Sequence, residues 1–425
     1  LAGGPSARPD SITGEPLARP LNMRVLQMPK KTITDLPDLT GKKVLVRVDF
    51  NVPLDKTSGA ITNDRRIRAA LPTVKYLLDK GAAVIAMSHL GRPKGEPTTD
   101  TNLRMDHVAA RFGELLGRPT KKASNEVIGP EARAAALALK PGDVLVLENL
   151  RFDAREQKND TDFAHAIAAL GDVYVNDAFG TCHNDQDASM VAVPAAMTGK
   201  PRVLGFLVAK ELEIVDGLMG QPKRPLLAVM GGAKVSDKVK FIAALLSKVE
   251  HLLIGGKMTY TFLKARGVDV GGTKVADEEL AAARPLLNKV DMQITLPVDY
   301  LCAKSDDLNA TQVVEGAIPA GYEGVDIGPK TLSHFANKIV TAGTVIWNGP
   351  VGWFEKPAFA NGTKGIAKAM ADSGAVTVVG GGETAEAVEQ FGYDEKMTHV
   401  STGGGAFLAY VEGKKFASLA QIDEK

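Results

Sequence analysis

Two doubly wound (Rossmann-like) parallel-sheet α/β domains, joined by a hinge helix, are the architecture this sequence predicts. Three observations carry that reading. From residue 42 onward, short apolar runs alternate with helical stretches, and such alternation implies parallel strands with helices on both faces. The loops that follow the apolar runs change chemical character half-way along the chain. Between the halves, Phe206, Leu207, Leu212, Ile214, Val215 and Leu218 share one face of a helix over 205–220. That helix reads equally as a hinge or as another crossover.

The first half is expected to hold strands at 44–48, 82–87, 144–147 and 173–175. The second is expected to hold strands at 226–230, 251–254, 292–295, 344–347, 376–379 and 398–400. Helices are expected at 66–80, 103–116 and 359–371. The resulting division is a first domain over 29–203, a hinge helix over 204–220, a second domain over 221–405 and a tail over 406–425. Residues 1–28 carry Pro5, Pro9, Pro16 and Pro20 with no periodicity and no apolar signal core. They are expected to be a disordered extension, with Met28 as a natural start.

Composition narrows the function. A chain of 425 residues with 44% apolar and 24% charged residues is ordinary for a globular protein with ample core. Lys+Arg 51 against Asp+Glu 50 gives no global bias toward nucleic acid or anionic membrane, so any basic site is local. Cys182 and Cys302 form no CxxC, which argues against a disulfide scaffold or thiolate zinc site and suits a reducing cytoplasm. No apolar run has the length a membrane helix needs.

In parallel sheets ligands bind beyond the carboxyl ends of the strands, so the loops there carry the function. First-half loops contain Asp49 and Asn51, His89 and Arg92, Arg151, and the 176–181 segment. That set suits a small, multiply charged, hydroxylated anion. Second-half loops are Gly231-Gly232, Gly255-Gly256, Asn348-Gly349-Pro350, Gly380-Gly381-Gly382-Glu383 and Gly403-Gly404-Gly405. They suit a nucleotide held by backbone N–H groups. After Gly231-Gly232, Lys234 and Lys238 stand where a helix begins, and a helix N-terminus with lysines suits a polyphosphate. On that stretch alone, a glycine turn with two solvated lysines reads as well.

No nucleophile–base pair stands out. Ser88 and His89 are adjacent, and adjacent residues on an extended chain point apart. Phosphoryl transfer between two bound substrates needs no protein nucleophile, only alignment, cations and exclusion of water. An ionised carboxylate acceptor needs no general base either. A kinase of a small carboxylic acid therefore fits. GxxxxGK(S/T) is absent. Residues 380–385 match GxGxxA, but the acid expected about 20 residues on is missing. A dinucleotide-dependent dehydrogenase is the runner-up, and a non-catalytic nucleotide-binding module the third reading.

Seven segments occur in the order and spacing of one family: Val48-Asp49-Phe50-Asn51-Val52-Pro53, Ser88-His89-Leu90-Gly91-Arg92-Pro93, Glu148-Asn149-Leu150-Arg151-Phe152, the stretch Gly231 to Lys238, Asp326-Ile327-Gly328-Pro329-Lys330-Thr331, Trp347-Asn348-Gly349-Pro350-Val351-Gly352 and Ser401-Thr402-Gly403-Gly404-Gly405-Ala406. From about residue 30 the chain closely resembles phosphoglycerate kinase. The resemblance implies transfer of phosphate from 1,3-bisphosphoglycerate to ADP, giving 3-phosphoglycerate and ATP, with Mg²⁺ on the nucleotide. It also implies hinge closure, a tail returning to the first domain, and a cytoplasmic monomer with no nucleic-acid or membrane partner. By motif, Asp49 and Asn51 would hold the glycerate end, Arg66 the transferring phosphoryl, and His89, Arg92 and Arg151 the far phosphate. Lys234 would follow the moving phosphoryl and Lys238 the nucleotide phosphates. Gly232, Gly255, Gly256 and Gly382 would line the nucleotide. Asn348 and Thr384 would meet phosphate, Glu355 the ribose and Glu383 the magnesium. Gly403 and Gly404 would open a helix aimed at the transition state.

Three positions depart from the family pattern. Asn184 stands where an arginine holds the far phosphate, and Asp185 beside it is expected to add a like charge to the substrate's. Glu383 replaces Asp. Lys257 follows Gly255-Gly256 where a small residue is usual, and is expected to be a solvated lysine.

Overall fold

The computed structural model describes residues 30–55, 57–93 and 101–425. The expectation for 1–28 lies outside the described residues.

The first sheet is built from β1 (Lys43–Val48), β2 (Ala83–Met87), β3 (Thr120–Lys122), β4 (Val144–Val146), β5 (Val173–Asp177) and β6 (Arg202–Leu204), in the order β3-β4-β2-β1-β5-β6. All its pairings are parallel. Its central strands are apolar on both faces because helices cover both. Arg47, Met87 and Asn176 share one register row, so the loops carrying Asp49, His89 and Asn184 leave the same edge.

The second domain repeats the plan. β7 (Leu226–Met230), β8 (His251–Ile254) and β9 (Ile294–Thr295) precede a three-stranded antiparallel sheet of β10 (Asp299–Lys304), β11 (Thr311–Glu315) and β12 (Tyr322–Ile327). Then come β13 (Thr344–Asn348), β14 (Val376–Gly380) and β15 (His399–Val400). The parallel order is β15-β14-β13-β7-β8-β9. Met230, Ile254, Asn348 and Gly380 form one row. The glycines that follow them therefore form one ridge above the sheet.

Three expectations change. The antiparallel sheet and the short strands β3 and β6 are additions. β3 reads Thr-Lys-Lys and β11 is largely exposed, so neither shows the apolar run of a buried strand. The strand expected at 292–295 shrinks to Ile294–Thr295, because Asp291 has φ 66° and Met292 is exposed in a turn. The helix expected from 103 begins at Asp106, after a turn at Thr101–Leu103.

The helix Phe206–Gly220 runs from β6 of one sheet to β7 of the other, so it is no crossover within a sheet. Its first turn is fixed to the first domain: Phe206 N donates to Thr73 Oγ1 (2.9 Å) and Leu207 N to Asp177 Oδ1 (2.9 Å). Further along, buried Glu211 accepts from His399 Nε2 at 2.8 Å and from Thr402 N at 2.7 Å, both on the second domain. The chain's end lies on the first domain. Asp423 Oδ1 pairs with Arg202 Nη2 at 2.8 Å, and Ser418 Oγ donates to Cys182 O at 2.8 Å. Cys182 and Cys302 are free and buried. Among the described residues no helix is long and apolar enough to cross a membrane.

Candidate active site

The glycine ridge of the second domain is shaped by backbone crowding. Gly256 has φ 65°, and a Cβ there would lie 2.8 Å from Gly232 N. A side chain would thus push two phosphate-side loops apart. Gly255 is buried, and a Cβ on it would strike Val351. Lys238 donates to Gly231 O at 2.8 Å, which folds its ammonium back over the glycine turn. Burial pulls that ammonium down to about 8, against the opposing pull of Glu383 and Asp237.

Lys234 differs. The helix proper starts only at Val239, after a single 3-10 turn at Ser236–Lys238, so Lys234 stands in the loop and not on the helix. It is exposed. That loop is pinned by Glu279, whose Oε2 accepts from Val235 N (2.6 Å) and Ser236 N (3.0 Å). The backbone is thus fixed, while the Lys234 side chain is exposed and its charge acts on Glu279.

A pocket of about 400 Å³ opens beside this ridge. Gly232, Ala233 and Glu383 line it, as do Ser305, Leu308 and Glu323 of the antiparallel sheet and its connection. Gly256, Lys257 and Glu355 lie on its walls. Lys257 is thus exposed but on the pocket wall, where a solvated lysine was expected. Gly382 is exposed at the start of the helix Gly382–Gln390. Two other expected phosphate ligands are partly engaged. Asn348 Nδ2 donates to Gly380 O at 2.8 Å, and Thr384 Oγ1 accepts from Gly349 N at 2.7 Å. The second amide hydrogen of Asn348 and the hydroxyl hydrogen of Thr384 remain to donate.

Across the cleft, Arg66 Nη1 donates to Asp49 Oδ2 (3.0 Å) and Asn51 O (3.1 Å), and Asn51 Oδ1 accepts from Gly91 N (2.7 Å). Buried His89 meets Arg47 Nη2 at 3.2 Å through Nδ1. Arginine only donates, so Nδ1 accepts and Nε2 carries the proton. Burial, with the cations Arg47, Arg151 and Arg66, holds His89 well below the usual histidine range. It is a neutral donor. Arg151 Nη1 donates to Gly91 O (3.2 Å), while its Nε is buried with no partner among the described residues. A buried orphan donor on an arginine marks a place for an anion. Arg92 is exposed and near enough to act on the charge of Arg151.

Asn184 Nδ2 donates to Asp187 Oδ2 at 3.0 Å, and Asp187 lies 3.9 Å from Arg151 Nη2. Asp185 instead pairs with Lys414 at 3.0 Å. The acid placed beside the cation of this lobe is therefore Asp187. Asp185 is drawn off by the C-terminal tail.

The domains meet at glycines. A Cβ on Gly403 would lie 2.8 Å from Gly180 Cα, and one on Gly180 would lie 2.7 Å from Asp49 Oδ2. Gly403 caps the helix Gly404–Val411, and a Cβ on Gly404 would lie 2.8 Å from Gly381 Cα. A helix N-terminus of one domain thus reaches the Asp49–Arg66 pair of the other.

A family model for phosphoglycerate kinase matches residues 33–414. This chain belongs to the phosphoglycerate kinase family. The phosphoglycerate kinase of Rhodopirellula baltica is 50% identical over 403 residues, covering 93% of this chain and 100% of that one. That of Chloroflexus aggregans is 51% identical over 406 residues, covering 93% and 100%. Among solved structures, phosphoglycerate kinase from Coxiella burnetii aligns with TM-score 0.80 at 36% identity, covering 92% of this chain and 98% of its own. The Pyrococcus horikoshii enzyme aligns with TM-score 0.81 at 31% identity, with the same coverage. The chain is a glycolytic kinase that phosphorylates a carboxyl acceptor, 3-phosphoglycerate. The dehydrogenase reading falls away.

Several residues that shape this kinase site escaped the sequence reading. Arg47 is fully buried in β1, where its Nε donates to Ser189 Oγ (2.9 Å), which donates in turn to Glu156 Oε1 (2.5 Å). Burial, against the pull of Arg47, raises Glu156 to about 7. The available signal was one charge inside the otherwise apolar run Val44-Leu45-Val46-Arg47-Val48. Glu279, Glu211 and Glu323 left no signal, since each is an acid whose partner lies far off in the sequence.

Proposed function

We propose that the enzyme binds 3-phosphoglycerate or 1,3-bisphosphoglycerate on the first domain and ADP or ATP in the pocket of the second, with in-line phosphoryl transfer once the domains close about the helix Phe206–Gly220. The meeting of Gly403 with Gly180 beside Asp49 carries this reading. It brings a helix N-terminus, which favours an anion, against the acid–arginine pair that faces the acceptor. His89, Arg92, Arg151 and Asn184 hold the far phosphate, and Asp49 and Asn51 orient the glycerate. Arg66 and Lys234 surround the moving phosphoryl from opposite domains, and Gly403 and Gly404 present backbone N–H groups to it. Lys238, Asn348 and Thr384 fix the nucleotide phosphates, and Glu355 the ribose. The acceptor carboxylate attacks directly, so no proton is moved.

Glu383 is an exposed carboxylate on the pocket wall, directly after the glycines 380–382. A hard cation that draws its other ligands from water and phosphate needs one such oxygen, so the donor set fits Mg²⁺. Glu383 would hold such an ion, which would supply shielding for the charge of the nucleotide phosphates. The enzyme works as a monomer in the cytoplasm, and its two buried free thiols suit such a reducing compartment.

The direct test is a coupled assay with 3-phosphoglycerate, ATP and Mg²⁺. Sustained ADP formation that requires 3-phosphoglycerate supports the reading. Nucleotide binding without turnover overturns it in favour of a binding module.

Two further results are expected. Because Lys238 titrates near 8 in the free protein, bound phosphates raise it again, and ADP binding at pH 8 takes up about half a proton. Uptake falls toward zero at pH 6.5, where the lysine is already charged, and affinity weakens above pH 8. Calorimetry in buffers of different ionisation enthalpy reads this; equal heats at pH 8, or uptake surviving in Lys238→Met, would refute it. The second concerns the hinge. Glu211→Ala leaves His399 and Thr402 unpaired in a buried site, and is expected to lower stability by roughly 3 kcal/mol, read from the denaturant midpoint. Burial pushes the Glu211 carboxyl up, but hydrogen bonds from His399 and Thr402 and the charge of His399 hold it below the usual 4.5. Its contribution is therefore full above pH 4.5 and is lost as pH falls through the depressed folded value. An acid-unfolding profile unchanged in Glu211→Ala would contradict this.

A further inference from the structure

We propose that Glu323 reads the nucleotide base and that guanine nucleotides are substrates of this enzyme. The inference rests on the placement of the nucleotide in the second-domain pocket.

The pocket is lined by Gly232 and Ala233 of the glycine ridge, with Glu383, and by Ser305, Leu308 and Glu323 of the antiparallel sheet and its connection. A nucleotide with its phosphates over the glycine ridge turns its base toward the antiparallel sheet. Two large apolar side chains are exposed at the pocket wall, Trp353 (42%) and Leu308 (36%). Lys356 Nζ lies 4.3 Å from the Trp353 ring centroid and steadies it. Exposed apolar groups facing a pocket mark a surface that a flat ring can cover.

The same pocket is lined by a carboxylate. Glu323 on β12 pairs in register with Ala303 on β10. Its Oε1 accepts from Ser305 Oγ at 3.1 Å. Among the described residues it has no ion pair. An unpaired carboxylate in the pocket of a polyanion is unfavourable near the phosphates, so its position on the antiparallel sheet calls for a donor-rich ligand group. An ionised carboxylate only accepts hydrogen bonds. Adenine offers it one amine beside the N1 lone pair, which repels it. Guanine offers N1–H and the 2-amino group side by side, a pair matched to one or both carboxylate oxygens. The Ser305 hydroxyl already holds one oxygen in place, which leaves Oε2 for the base.

The test compares ADP and GDP as phosphoryl acceptors from 1,3-bisphosphoglycerate, in the wild type and in Glu323→Gln, together with calorimetric binding of both nucleotides. The wild type is expected to use GDP with kcat/KM within about tenfold of ADP, and Glu323→Gln to lower the GDP-to-ADP ratio at least about tenfold, the scale of a lost charge-assisted pair. Turnover of ADP without GDP in the wild type overturns the base reading and leaves the kinase intact. So does a ratio unchanged by Glu323→Gln. Turnover of neither nucleotide overturns the kinase reading and this inference with it.

Discussion

Lys234→Ala is expected to lower kcat by about 10²–10³-fold, the loss typical of removing one transition-state charge contact, with KM for ADP changed by only a few-fold. The reason lies in how the two lysines of the loop are held. Lys238 is tied to Gly231 O at 2.8 Å and is partly buried, so it belongs to the resting shape of the nucleotide site. Lys234 is exposed, and among the described residues it makes no hydrogen bond or ion pair, while Glu279 fixes the backbone directly after it. A cation held at its root and exposed at its tip can follow charge that moves from one oxygen to another. Such an interaction is stronger in the transition state than in either bound substrate and so appears in kcat. Steady-state kinetics in both directions measure it. A kcat within threefold of wild type, or a loss confined to KM, would remove Lys234 from the transfer step.

Asn184→Arg is expected to lower KM for 3-phosphoglycerate by about tenfold. That is the lower end of the ~1.5–3 kcal/mol attached to one charge-assisted hydrogen bond. The lower end applies because Asp187 lies beside both Asn184 and Arg151 and will take part of the new charge. Even then Arg151 gains, because the new arginine relieves it of Asp187 and frees it for phosphate. The effect should shrink as salt rises, since it is electrostatic and partly exposed. An unchanged KM would show that the orphan Nε of Arg151 and the neutral His89 already suffice for the far phosphate.

The fold was legible wherever one local rule held over several residues. β7 reads as five buried apolar residues in the sequence and is that in the structure. The interdomain helix showed its apolar face in the sequence, but its role as a link appears only from the sheet order. β11 was invisible because a strand exposed on most positions carries no apolar pattern.

The candidate site divides in the same way. Gly231, Gly232, Lys234, Lys238 and the triple glycine at 403–405 could be named from the sequence as candidates, because a loop suited to phosphate is local: its glycines and lysines lie close together along the chain. Tertiary structure decided everything that depends on a partner far along the chain. It paired Asp185 with Lys414, left Asp187 beside Asn184 and Arg151, and set Arg47 behind His89 to fix which nitrogen donates. It placed Glu323 on the wall of the pocket beside the glycine ridge and Glu211 against His399, 188 residues away. Loop chemistry lies in neighbouring residues and follows the chain, whereas burial, charge pairing and tautomer are set by whichever groups the fold brings within about 3 Å. The sequence alone determined the kind of chemistry each domain can do; only the packing of the two domains decided which charges remain free to do it.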